Sequence, residues 1–339
     1  MSGGVDSSLT ASLLKEQGHN VCGVFLNLGQ INYKQALEAV KRVAKKIGIP
    51  LKIIDLKKQF RKGVIDYFLK TYSRGNTPNP CVICNKKIKF GLLFKLMEKW
   101  KFDYLATGHY VRLLKNKKRK LKIAADRTKD QSYFLYNLNQ KQLAKLLFPL
   151  GNYTKEKVKK MADQRHLPYL KKESQEICFV KDADLYGFLK TRIHTDKGPI
   201  IDFKTGKKIG EHQGVPFYTI GQRVPIGGTG PYYVFSKNLK KNQLIVVGKG
   251  DKNSFFKEIT LKNVNWISGE PPKSARILVR IRYRQPLVPA KIMLHASKFK
   301  LHFDQPIKFV APGQSAVFYS KKDELLGGGV ISDFISDFS

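Results

Sequence analysis

Two patterns follow one another along this chain, and together they restrict its fold more than anything else in it. Up to about residue 110, short apolar runs alternate with helical spacing. Leu9, Leu13 and Leu14 mark a helix over residues 7–17, and Gly18 stands where a left-handed residue ends one. Asn20–Leu26 suits a buried strand. Ala36, Ala39, Val40, Val43 and Ala44 give a helix that stops at Gly48 before Pro50. Leu51–Leu56 is a second strand, helix follows at about 58–72, and Asp103–Gly108 is a further strand. That last strand ends at its carboxyl edge, where such sheets place ligands. Alternation of this kind predicts an α/β fold with a doubly wound parallel sheet. After about residue 195, Gly and Pro become frequent. Short β-like runs such as PYYVF, LIVVGKG, ILVRIRYR and SAVFYS recur about every ten residues, which predicts small β domains or a barrel. The expected domains are therefore 1–190 (α/β), 191–252 (β-rich) and 253–339 (β-barrel). No internal repeat is visible.

Charge narrows the partners. Lys and Arg number 63 against 26 acids, a net charge of +37 over 339 residues. Such a surplus attracts a polyanion, with nucleic acid the first candidate. The plainer alternative is a lysine-rich organism whose every surface is basic, but the imbalance exceeds what solubility needs. Much of the surplus lies in Lys115–Lys120, Lys155–Lys160 and Lys237–Lys241, and any one such run is ordinarily a solvated face. No run approaches the ~18 apolar residues of a membrane span, and no basic-then-apolar leader opens the chain. The expectation is a soluble, cytoplasmic protein. Four cysteines, Cys22, Cys81, Cys84 and Cys178, are too few for a disulfide framework and point to catalytic or metal-binding thiols.

Ser2-Gly3-Gly4-Val5-Asp6-Ser7-Ser8 comes directly before the first helix. It lacks the lysine of a Walker-type loop. Its glycines still let backbone N–H groups converge on a phosphate, and the helix adds its positive end. Asp6 could hold Mg²⁺, and Ser7 and Ser8 could donate to phosphate oxygens. The competing reading is a plain glycine turn at a helix start. A phosphate-binding turn of this type should follow a buried strand, whereas this chain goes from Met1 straight into the turn. The expectation is a native start roughly ten residues upstream, one strand of ~5–6 residues plus its lead-in.

In Asn76–Gly91, NTPNPCVICNKKIKFG, two prolines hold the backbone extended ahead of Cys81 and Cys84. A helix start and neighbouring lysines lower a thiol pKa, so Cys84 reads as a thiolate nucleophile. Half a zinc site, a thioredoxin-like redox pair and two ligands of an iron–sulfur cluster compete with that reading. Cys178, in SQEICFV, is by itself a small core residue. ATGHY (Ala106–Tyr110) and KDQSYFL (Lys129–Leu135) add a histidine and a Lys-Asp-Gln cluster, residue types more often structural than catalytic.

SGGVDSS, TPNPCVICNKKIKF, ATGHY, KDQSYFL, SQEICF, YTIGQR, RIRYRQP and PGQSAVFY occur in one order over the whole chain. Together they resemble the tRNA-specific 2-thiouridylase family, a branch of the PP-loop ATP pyrophosphatases. The resemblance implies a PP-loop catalytic domain, a central tRNA-binding domain and a C-terminal barrel. It implies that Ser2, Gly3, Gly4, Val5, Asp6, Ser7 and Ser8 bind ATP with Mg²⁺, near Leu26 and Gly108. ATP would adenylate the C2 oxygen of a wobble uridine, and sulfur would then replace that oxygen to give 2-thiouridine, AMP and pyrophosphate. Cys178 matches the family's persulfide carrier and Cys84 its nucleophile. Asn79, Pro80 and Cys81 would meet the target base. His109, Lys129, Asp130, Gln131, Arg282, Tyr283 and Gln314 would contact tRNA, of the lysine, glutamate and glutamine acceptors. A cysteine desulfurase or a sulfur-relay protein would supply sulfur.

This chain departs from the family pattern in several places. Cys81 stands where many members have Asp, so Cys81, Cys84 and Cys178 become candidate ligands of a [4Fe–4S] cluster that rivals the persulfide route. The loop after Leu28 is short, Ala39 replaces an Asp, PIGG at 225–228 replaces Gly-Leu-Gly-Ile, and Met1 falls where the family has an internal Met. Two further hypotheses are a catalytically inactive basic RNA-binding protein, and a PP-loop ligase or amidotransferase acting on a small substrate. The last leaves the charge and the two distant cysteines unexplained.

Overall fold

The structure, a computed structural model, describes residues 1–171, 177–227, 230–295 and 298–334. Its chain turns at Gly3 directly into α1 (Val5–Glu16). Gly3 has φ 84°, and a Cβ there would lie 3.0 Å from the Ala36 carbonyl oxygen, so the turn needs glycine. β1 (Gly23–Asn27), α2 (Tyr33–Ile47) and β2 (Leu51–Asp55) form a strand–helix–strand unit with parallel pairing, Gly23 against Leu51 and Asn27 against Asp55. α2 buries the expected stripe, Ala36, Ala39, Val40, Val43 and Ala44, and is capped by Gly48 at φ 72°.

The next helices are less regular than their spacing predicts. α3 (Lys57–Phe60) and α4 (Asp66–Ser73) are joined by a widened turn at Arg61–Ile65. α5 (Pro80–Cys84) and α6 (Leu93–Lys99) are joined in the same way across Asn85–Leu92. Hydrogen bonding from i to i+5 of this kind is frequent at functional sites. β3 (Leu105–Ala106), the hairpin β4 (Arg112–Lys115) and β5 (Arg119–Lys122), α7 (Gln140–Ala144), β6 (Leu146–Leu147), α8 (Lys155–Gln164) and α9 (Leu185–Lys190) complete this half.

The parallel strands form two separate pairs, β1–β2 and β3–β6, which no strand joins among the described residues. Met1 lies against β1: its amino group donates to the Val24 carbonyl, and its side chain packs with Leu51. α1 and α8 meet through Val5, Leu9 and Leu13 against Val158 and Ala162.

β7 (Gly198–Asp202), β8 (Lys208–His212), β9 (Arg223–Val224), β10 (Tyr232–Asn238) and β11 (Gln243–Gly248) form one sheet in the order β8-β7-β11-β10-β9. It buries Ile200, Val224, Val234, Leu244 and Val246. β12 (Phe255–Trp266), β13 (Arg276–Arg280), β14 (Val288–His295), β15 (Lys298–Lys308), β16 (Ser315–Tyr319) and β17 (Glu324–Phe334) close into a barrel in the order β12-β15-β14-β13-β16-β17, with β17 pairing back to β12. β17 also pairs with β5, Glu324 opposite Lys122 and Leu325 opposite Leu121. The β4–β5 hairpin of the α/β half is thus hydrogen-bonded onto the barrel. Beneath it, Leu121, Tyr133, Tyr136, Val317, Tyr319 and Leu325 share one core. No described helix is long and apolar enough to cross a membrane.

Candidate active site

Gly4, with φ −82° and ψ 164°, precedes α1 and offers no side chain to cap it. The first N–H groups of a helix lack intrahelical partners and draw an anion. Ser7 and Ser8 fold their hydroxyls back onto the Gly4 carbonyl at 3.2 and 3.0 Å, which fixes the turn. Gly108, just past β3, meets the same turn: a Cβ there would stand 2.9 Å from the Asp6 carbonyl carbon. Leu26 sits on β1 and packs with the cluster that holds Cys84. Gly108 is thus brought against the glycine turn, and the turn fits a phosphate.

Asp6 differs from expectation. Read as an open Mg²⁺ ligand, it is instead engaged on both oxygens. Lys155 Nζ donates to Oδ1 at 2.7 Å and Oδ2 at 2.8 Å, and the Tyr110 hydroxyl donates to Oδ1 at 2.7 Å. Sequence reasoning missed both partners. Lys155 lay inside a lysine run that reads as solvated surface, and only the fold brings it to Asp6.

Asn79 caps α5, its Oδ1 accepting from the Val82 N–H at 3.3 Å, and Pro80 follows at the first helical turn, where its missing N–H costs nothing. Cys84 is the last residue of this short helix and is buried among Phe60, Ile88, Phe179 and Val180. Burial pushes its thiol pKa up, and the Lys89 ammonium only partly opposes that. The expected lysine-activated thiolate is therefore corrected: apolar desolvation wins over the nearby cation. The Cys178 thiol is also pushed up, first by desolvation, then by the neighbouring Cys84 and Cys81. Cys178 as a residue remains solvent-exposed. The three thiols nevertheless lie within one another's electrostatic reach, with Lys89 as the cation common to Cys84 and Cys178.

The stretch leading to Cys178 passes the nucleotide turn: Leu170 bridges Gly4 in parallel, and its N–H donates to the Gly3 carbonyl at 2.8 Å. Ser174, Gln175 and Glu176 of the SQEIC motif lie outside the described residues. Among the described residues, no group of three His, Cys, Asp or Glu is placed to hold a metal ion.

Several residues expected to touch tRNA also tie the protein to itself. Asp130 is 3% exposed and accepts from the Ala124 N–H at 3.0 Å, from the Ser132 hydroxyl at 2.7 Å and from Arg280 of the barrel at 3.3 Å. The His109 ring packs against Phe90 and Phe148, and its Nδ1 lies 2.9 Å from the Thr107 hydroxyl. Burial, with Lys89 nearby, holds its pKa well below the ordinary histidine value, so the ring is neutral. Arg282 donates to the Ile220 carbonyl of the central domain. Gln314 donates to the Thr77 and Pro78 carbonyls. Gln131 accepts from the Tyr110 N–H at 3.0 Å, and Tyr283 packs on Phe134 with ring centroids 4.5 Å apart. Asn79 and Pro80 are buried, while Cys81 and Lys129 are half-buried. Asp130, Arg282 and Gln314 have their partners in another domain, where a polar side chain loses water and takes backbone or ionic partners in its place.

This architecture defines a class, an α/β domain with a phosphate-binding glycine turn followed by two β modules. Family models match in the same order: a tRNA methyl transferase HUP domain over residues 1–182, a tRNA methyl transferase PRC-barrel domain over 186–248, and an aminomethyltransferase beta-barrel domain over 256–331. The tRNA-specific 2-thiouridylase MnmA 2 of Clostridium botulinum strain Hall is 41% identical over 350 residues, covering 99% of this chain and 98% of its own. The tRNA-specific 2-thiouridylase MnmA of Moorella thermoacetica is 41% identical over 354 residues, covering 98% of each. That of Chloroflexus aurantiacus is 39% identical over 353 residues, covering 98% of this chain and 97% of its own. The chain belongs to the tRNA-specific 2-thiouridylase family.

Proposed function

We propose that this protein is a tRNA-uridine 2-sulfurtransferase that uses ATP to convert a wobble uridine to 2-thiouridine. One observation carries the reading: Cys84 and Cys178, far apart in sequence, share an electrostatic neighbourhood in a chain that belongs to the tRNA-specific 2-thiouridylase family. The surplus of basic residues supports a tRNA substrate, since phosphate contacts supply affinity and position without reading sequence.

A uridine carbonyl oxygen is a poor leaving group. In the first step the C2 oxygen attacks the α-phosphorus of ATP and pyrophosphate departs, with the polyphosphate held at Gly3, Gly4 and the start of α1. Asp6 is the carboxylate on this turn able to take Mg²⁺, which would neutralise phosphate charge. A persulfide on Cys178 supplies the nucleophile: its outer sulfur attacks C2, and AMP leaves with the electron pair of the C2–O bond. Cys84 then loses its proton and attacks the inner sulfur of Cys178. The S–S bond to the substrate breaks, 2-thiouridine is released, and a Cys84–Cys178 disulfide remains for an external thiol to reduce. A buried, protonated Cys84 suits this order, because it stays unreactive until a persulfide stands beside it. The sulfur donor on this reading is a cysteine desulfurase or a relay protein in the cytoplasm, and the substrates are the lysine, glutamate and glutamine tRNAs.

The test is incubation with ATP, Mg²⁺, a cysteine desulfurase with cysteine as the persulfide source and unmodified tRNA, followed by mass spectrometry of the digested nucleosides, with AMP and pyrophosphate counted in parallel. 2-Thiouridine in step with AMP, lost in Cys178→Ala while tRNA binding persists, is the expected result. Tight tRNA binding with neither product nor AMP would point to an inactive RNA-binding protein.

A further inference from the structure

We infer that Lys155 is a phosphate-binding residue of the nucleotide site, parked on Asp6 until ATP arrives. The inference rests on the ATP-site reading above. The glycine turn has no lysine between Gly4 and Ser7 of the kind a Walker-type loop sets on its phosphates, so a side-chain cation for the phosphates would come from elsewhere in the fold. Lys155 lies at the first position of α8 and reaches the second residue of α1 with a two-pronged contact at 2.7 and 2.8 Å. Its side chain is 13% exposed, against 33% for Asp6. The ammonium group is thus held inside the site, while the carboxylate keeps an open side.

The geometry separates the backbone of Lys155 from its side chain. The Lys155 N–H is fixed by Asp126 Oδ2 at 2.9 Å, and Thr154 caps the helix through the Lys157 N–H at 3.2 Å. The side chain can change partners without the helix moving. Asp6 is not left bare when it does so, since the Tyr110 hydroxyl remains at 2.7 Å. Nor is the ion pair needed to dock α8, because Val158 and Ala162 already pack against Val5, Leu9 and Leu13. A triphosphate at the start of α1 brings several negative charges to within a side chain's reach of Lys155. The ammonium group then exchanges one carboxylate for phosphate oxygens, and Asp6 becomes available to a divalent cation. One residue in this way screens the carboxylate in the empty site and the phosphates in the filled one.

Two substitutions that break the same ion pair separate this role from a structural tie. Displacement of a fluorescent ATP analogue by ATP, with EDTA and with Mg²⁺, measures affinity, and thermal unfolding measures stability. Lys155→Met is expected to weaken ATP binding about ten-fold or more in both conditions. Asp6→Asn is expected to keep or tighten metal-free ATP binding and to lose the gain from Mg²⁺. If Lys155→Met does not fold, Lys155→Gln, which can still donate to Asp6, makes the same comparison. Equal ATP affinity in wild type and Lys155→Met would overturn the inference. Equal losses of ATP affinity in Lys155→Met and Asp6→Asn without metal would overturn it in favour of a structural tie. A wild type that binds no ATP would overturn the ATP-site reading, and the inference with it.

Discussion

Gln314 holds Thr77: the side-chain amide at the start of a barrel strand donates to the Thr77 carbonyl at 3.2 Å, and to the next carbonyl, Pro78, at 3.1 Å. Other contacts converge on the same segment. The Thr77 N–H donates to the Pro312 carbonyl at 2.8 Å, the Thr77 hydroxyl meets that of Thr219 at 3.3 Å, and Lys237 donates to the Gly75 carbonyl at 2.8 Å. Gly313, at φ 91°, comes so close that a Cβ would lie 2.7 Å from the Thr77 oxygen. The central and barrel domains therefore both grip the few residues of the first domain that lead into Cys81 and Cys84.

Gln314→Ala removes two hydrogen bonds from that segment. A stability loss of about 1–3 kcal/mol is expected, with a larger effect on single-turnover sulfur transfer than on tRNA affinity. A variant that loses tRNA binding and transfer in equal measure would instead make Gln314 an RNA contact.

Asp130→Ala leaves Arg280 in the interior without its carboxylate. Removing one partner of a buried pair costs about 3–5 kcal/mol, read as a lower denaturant midpoint. Asp130→Asn should lose less, because it retains an acceptor for the Ala124 N–H. Unchanged stability in both variants would show Asp130 to be no strut.

The raised thiol pKa values set a pH dependence. At neutral pH the Cys84 and Cys178 thiols are protonated, so each pH unit upward multiplies the thiolate fraction about ten-fold until the pKa is reached. Alkylation by iodoacetamide, followed by mass spectrometry of the two peptides, should keep rising beyond the ordinary cysteine value of about 8.5. A plateau near neutral pH at Cys84 would restore the activated thiolate.

Lys237 is half-buried, and desolvation lowers its pKa to about 7. A lysine whose folded pKa is depressed opposes folding at low pH. That opposition is complete below about 7 and fades as pH rises toward the unfolded value of about 10.4. Lys237→Met is accordingly expected to raise the thermal midpoint most at pH 6 and less at pH 9. The reverse trend would mean that the contact to Gly75 outweighs the burial.

Much of this architecture is legible in the sequence. The apolar stripe of α2 and its stop at Gly48 follow from spacing alone, as does the change to β structure in the second half. Motif order located the glycine turn and the cysteines. What stayed hidden depends on neighbours distant in sequence. The widened turns at Arg61–Ile65 and Asn85–Leu92 come from local accommodation within an unbroken helical pattern. Lysines beside Cys84 suggested activation, but the thiol environment is set by Phe60 and Phe179, which no local reading brings near. Asp130 looks like a surface polar group until the barrel arrives to cover it, and Gln314 until the Thr77–Pro78 segment docks against it.

The hairpin Arg112–Lys122 lies in the first domain by sequence and on the barrel by hydrogen bonding. Cutting the gene between the matched domains would therefore sever a β ladder and open a shared apolar interior. Chimaeras that trade barrels between relatives should have to carry this hairpin along. The first and last segments of the chain ought to melt together.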